Sequence, residues 1–144
     1  MSPIHQLSFS LYSGSRLIIQ LVQNSLKEIG LTYPQFLVLA VLWEEDGLKV
    51  NEIGSKLYLD SGTLTPLLKK LESMNYVKRV RSELDERTVN IELTYPGKSL
   101  QKKAEDSLSI VNSLFKGGTE LDVEMLNHSL QHLLESIEEL KKKN

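Results

Sequence analysis

A mostly helical α+β fold is predicted by three features of this 144-residue sequence. Through most of its length apolar residues recur at three- and four-residue steps, the period of a helix that buries one face. Only two segments, Tyr76–Arg81 and Thr88–Leu93, alternate with the two-residue period of a strand, and the polar run Ser82–Arg87 between them predicts a hairpin with a charged tip. An apolar share of 40% and a charged share of 25% are those of a globular domain, so one core can hold these elements together.

Residues 4–28 come first, with Leu7, Phe9, Leu11, Leu17, Ile18 and Leu21 spread over more than one face, which predicts a helix buried on several sides. Thr32 to Gln35 (TYPQ) reads as a capping box that opens a central core helix over the apolar run Phe36–Trp43. Gly47 ends it, Leu48–Val50 allows no more than a token strand, and Asn51–Tyr58 makes a short helix through Ile53 and Leu57. Asp60 or Ser61 can cap the next helix, which turns Leu64, Leu67, Leu68, Leu71 and Met74 inward. Pro66 would clash with the carbonyl four residues earlier, and Gly62 at that position eases the fit. After the hairpin, Thr94 and Pro96 open a long polar helix toward Phe115, broken at Gly117–Gly118. From about Leu121 a last helix sets Leu126, Leu130, Leu133, Ile137 and Leu140 in a packing seam, and Lys141–Lys143 suit its C-terminal dipole.

Several function classes are disfavoured. There is no cysteine, so disulfides, thiolate metal sites and thiol nucleophiles are absent from this chain. The longest apolar run is too short to cross a bilayer and no signal-like start is present, so a cytoplasmic protein without a membrane partner is expected. No Ser-His-Asp set, glycine-rich phosphate loop or apolar carboxylate pair presents itself, and neither enzyme activity nor a cofactor is expected. His128 and His132 have a spacing that can place two imidazoles on one metal. They lie opposite the leucine seam among glutamates, and a solvated face is the favoured reading.

What remains is nucleic acid, despite a net charge of −2. The outward side of DSGTLTPLLKKLE (residues 60–72) carries Gly62, Thr65, Pro66 and Lys69, with Thr63 and Lys70 on its flank. From Asp60 to Arg81 five basic residues face two acidic ones. Helix, short helix, turn, second helix and charged hairpin form the layout of a winged helix-turn-helix, whose second helix enters the major groove. Gly62 lets the backbone approach, Ser61, Thr63 and Thr65 can exchange hydrogen bonds with bases and phosphates, and Lys69 and Lys70 can neutralise phosphates. Arg87 in the hairpin tip suits a narrow minor groove.

The run LYLDSGTLTPLLKKLESMNYVKRVRSELDERTVNIELT resembles the DNA-binding core of the MarR family of bacterial transcription regulators, and the similarity extends over nearly the whole chain. The resemblance implies an α+β winged-helix domain over 1–144, with a DNA-binding lobe at 32–94 and dimerisation helices at 1–31 and 95–144. It implies a homodimer on double-stranded operator DNA, with Asp60, Ser61, Gly62, Thr63, Thr65 and Lys69 on the recognition helix. Asp85 and Arg87 match a wing pair in which the acid steadies an arginine that enters the minor groove. LSFSLYSGSR and TYPQFLVLAVLWEE resemble the one-cysteine, oxidation-sensing branch, whose reactive cysteine is matched here by Ser8 and two of whose tyrosines are matched by Tyr12 and Tyr33. A third tyrosine is replaced by Val22. A serine cannot be oxidised as a thiolate is, so this chain should not sense peroxide at that site. Ser8 fits a natural non-sensing relative, a relative that senses by another route, or a Cys-to-Ser form locked in the DNA-binding state, the last favoured by the largely intact surrounding motif. An inducer, oxidant or small phenolic molecule, is the remaining expected partner; Tyr12, Tyr33 and Trp43 would line its pocket, although such aromatics are more often core.

Overall fold

The computed structural model describes residues 1–116 and 121–144, which group into two compact units, 1–109 and 110–144. The helix break expected at Gly117–Gly118 lies outside the described residues.

In the first unit, α1 (Pro3–Leu26) starts where the Ser2 hydroxyl accepts from the His5 amide, with Pro3 in the first turn, where its missing N–H costs nothing. A 3-10 turn, Lys27–Ile29, ends at Gly30, whose φ of +70° reverses the chain. The capping box then forms as the sequence predicts: the Gln35 amide donates to the Thr32 hydroxyl, and the Thr32 amide donates to Gln35 Oε1 at 3.0 Å. It opens α2 (Tyr33–Glu44), in which Val38, Leu39 and Leu42 are buried. Strand β1 is the two residues Leu48–Lys49, followed by α3 (Val50–Leu57) and α4 (Ser61–Ser73). Strands β2 (Val77–Arg81) and β3 (Val89–Leu93) pair antiparallel in the register Val77↔Leu93 to Arg81↔Val89, and β1 adds to the other edge of β3 through Leu48↔Ile91. Helix α5 (Tyr95–Leu114) begins with the Thr94 hydroxyl accepting from the Gly97 amide at 3.1 Å, the cap that the sequence predicts.

These elements close on one leucine-rich core. Leu26, Leu39, Leu42, Ile53, Leu64, Leu68, Leu71 and Ile91 have almost no exposed surface. Two contacts distant in sequence tie the core helix to the sheet and to α5: Trp43 Nε1 donates to the Gly97 carbonyl at 2.9 Å, and the Leu93 amide donates to Asp46 Oδ1 at 2.8 Å.

The expectation that α1 is buried on several sides is corrected. Leu26 alone is buried there, whereas Ile4, Phe9, Tyr12 and Leu17 are each more than 60% exposed. Periodicity reports which faces favour cover, and within the first unit these side chains have none. In the second unit, α6 (Val123–Lys143) is capped by Asp122, which accepts from the Met125 amide at 3.0 Å. Its seam is likewise open: Leu126, Ile137 and Leu140 are exposed, and Leu130 and Leu133 only half-buried.

Candidate nucleic-acid interface

The turn between α3 and α4 sets the geometry. Tyr58 takes φ +55° and the Leu59 amide donates to the Gly54 carbonyl at 2.9 Å, folding the chain back on α3. Gly54 is required there, because a Cβ would lie 2.7 Å from the Leu59 carbonyl oxygen. Asp60 then caps α4, its Oδ1 accepting from the Thr63 amide at 2.7 Å, and that bond holds its carboxyl below the ordinary carboxylate range. The choice between Asp60 and Ser61 as cap thus falls on Asp60, with Ser61 in the first turn. Asp60 is thereby committed to positioning the helix.

Burial sorts the rest of α4 as its period predicts. Leu64, Leu68 and Leu71 are buried and Leu67 and Met74 half-buried, while Ser61, Gly62, Thr63, Pro66, Lys69 and Lys70 are exposed and Thr65 is half-exposed. The helix runs unbroken past Pro66, with Gly62 one turn below it. Glu72 accepts from Arg79 Nε at 3.1 Å, an ion pair that ties α4 to β2, and Lys78 pairs with Glu92 across the hairpin at 3.7 Å. Those two cations are therefore matched within the chain. Lys69 and Lys70 have no ion-pair partner among the described residues.

In the hairpin tip Asp85 acts on the backbone. Its Oδ1 accepts from the Arg87 amide at 3.0 Å, its Oδ2 from the Thr88 hydroxyl at 3.4 Å, and its carbonyl from the Thr88 amide at 2.9 Å. This turn fixes where the Arg87 side chain leaves the wing and does not occupy the guanidinium. Arg87 borders an open depression of about 350 Å³ with Lys49, Val50, Asn51, Thr88 and Val89. Lys49 and Asn51, at the start of α3, were not singled out by the sequence, because only the β1–β3 pairing brings them beside the wing.

Ser8, Tyr12 and Tyr33 are not joined by any hydrogen bond among the described residues. The Ser8 hydroxyl donates to the His5 carbonyl at 3.1 Å, and the exposed Tyr12 ring lies 5.6 Å from the Arg16 guanidinium. Tyr33 is half-buried, its ring 6.3 Å from that of Phe36, and burial pushes its phenol above the ordinary range. Gln23 bridges two elements: it donates to the Leu31 carbonyl at 3.1 Å and accepts from the Tyr33 amide at 2.8 Å, fastening α1 to the start of α2. No local pattern marks such a bridge.

Among the described residues no helix is long and apolar enough to cross a membrane. The profile of the family described as transcriptional regulator SarA/Rot matches residues 20–106. The organic hydroperoxide resistance transcriptional regulator of Bacillus subtilis (strain 168) is 44% identical over 133 residues, covering 92% of this chain and 90% of that protein. Among solved structures, AbfR of Staphylococcus epidermidis superposes with a TM-score of 0.83 at 37% identity, over 94% of this chain and 93% of the other. Reduced AbfR bound to DNA gives a TM-score of 0.79 at 37% identity, over 95% and 92% of the two chains. The Bacillus subtilis relative is by name a transcriptional regulator. On the extent of these matches and on its winged-helix fold, the chain belongs to the SarA/Rot group of MarR-type transcriptional regulators.

Proposed function

We propose that this chain is a homodimeric repressor that reads double-stranded operator DNA with α4. The carrying observation is the exposed face of that helix: a glycine, hydroxyls and two lysines without an ion-pair partner among the described residues, over a buried leucine stripe. Residues 32–94 form the reading lobe, and 1–31 with 95–144 supply the dimer contacts. Ser61, Gly62, Thr63 and Thr65 lie toward base edges and sugar-phosphate, Lys69 and Lys70 toward phosphates, and Arg87 toward the minor groove, with Asp60 and Asp85 holding helix and wing in place. The structure of AbfR bound to DNA supports this reading, as does the solvent-facing apolar surface of α1, which a second copy would cover. Two recognition helices would then meet a pseudo-palindromic operator with half-sites about one helical turn apart. Bound there, the dimer would block polymerase in the cytoplasm.

The similarity to the hydroperoxide resistance regulator supports descent from an oxidation-responsive branch. Ser8 stands at the position expected for the thiol, so in this chain operator binding is insensitive to hydroperoxide.

Selection of bound duplexes from a randomised pool tests the central claim. A pseudo-palindrome occupied by one dimer is expected. Recovery of no preferred sequence, with salt-insensitive binding, would replace the reading with a protein-interaction dimer.

A further inference from the structure

Helix α6 carries a side-chain pair that DNA binding leaves unused. His128 and His132, one turn apart and both exposed as their place opposite the leucine seam predicts, converge in solvent: their Nε2 atoms are 3.1 Å apart and their rings meet edge to face at 4.5 Å. Two neutral rings so placed need one Nε2–H and one lone pair, whereas a cation can accept both lone pairs. With Zn–N bonds of about 2.0–2.1 Å, two nitrogens at the tetrahedral angle lie about 3.3 Å apart, so a small ring movement admits the ion.

Glu135 adds the second element. Its Oε1 accepts from Gln131 Nε2 at 3.3 Å, and its Oε2 lies 3.9 Å from His132 Nδ1. Drawn onto Nδ1–H when an ion binds, that carboxylate would orient the metal-bound imidazole and hold the lone pair on Nε2. The helix backbone already holds both rings on one face, so chelation orders little that is not ordered.

We propose that His128 and His132 form a bidentate site for a divalent transition-metal ion of the zinc class, with Glu135 as a positioning residue. Imidazole donors select zinc, nickel and copper over magnesium and calcium. No group of three or more His, Cys, Asp or Glu side chains forms a metal cluster among the described residues, so water completes the coordination and the ion is exchangeable. Bound, it cross-links one turn of α6. The proposal does not depend on DNA binding.

Calorimetric titration of the full chain with zinc chloride in a non-chelating buffer, read alongside histidine-ring NMR, tests it. One ion per protomer is expected, shifting the His128 and His132 resonances and leaving those of His5 in place. Affinity should fall at least tenfold in His128→Gln and in His132→Gln, and about tenfold in Glu135→Gln. All three side chains are exposed, and circular dichroism verifies that the variants keep their helix content. Equal zinc binding by the wild type and the His128→Gln/His132→Gln double variant overturns the site, as does a shift confined to His5. Unchanged affinity in Glu135→Gln removes its positioning role.

Discussion

Asp60 and Arg87 carry different kinds of consequence although both sit at the proposed DNA surface. The carboxyl of Asp60 is lowered by its bond from the Thr63 amide, so its contribution to stability is present above the ordinary carboxylate range and is lost as pH falls through the lowered value. Asp60→Ala should therefore lower the melting temperature by a few degrees near neutral pH, and the difference from wild type should vanish in strong acid, as thermal melts across pH would register. Arg87 and Lys69 bear on affinity instead. Arg87→Ala and Lys69→Ala should each weaken operator binding, and Lys69→Ala should reduce the slope of log K against log salt by about one unit per protomer. Gel-shift titrations at several salt concentrations measure both effects; unchanged affinity in the two variants would sink the site assignment. Ser8→Cys reverses the other expectation: that variant should release operator on treatment with an organic hydroperoxide, and retained binding after verified oxidation would end the thiol-switch reading.

Among the elements, α5 is placed by a close approach that its own sequence does not announce. A Cβ on Gly97 would overlap the Tyr76 carbonyl, and the Gly97 carbonyl accepts from Trp43. Gly97→Ala should destabilise the protein by about 2 kcal/mol, measured by urea denaturation at a fixed protomer concentration, because backbone and not a flexible side chain must give way. The start and period of α4 were legible because a cap, a leucine stripe and an exposed face are all local. The use of Asp85 was legible only in part: its place beside Arg87 is in the sequence, whereas its grip on the Arg87 amide required the turn itself.

At the scale of the molecule, the open apolar faces matter most. Phe9, Leu17 and Ile18 stand exposed on α1, and the homodimer proposed above would bury them. Ile18→Asp should shift the protein from dimer toward monomer in sedimentation velocity and lower operator affinity with it, since two half-sites need two reading heads. A variant that stays dimeric would move the interface away from α1.

Local sequence was enough to set the elements and their order, the capped helix α4, the hairpin and the exposed residues proposed here for DNA. Those features rest on periods, caps and breakers that act over a few residues. Tertiary structure alone decided that Arg79 and Lys78 are matched within the chain, that Lys49 and Asn51 stand beside Arg87, that Asp46 and Trp43 lock the core helix to the sheet and α5, and that α1 lies open. Each of the pairings depends on chain segments that only the folded chain brings together. Local patterning states which groups require a partner, and only the packed chain supplies one or leaves the face open.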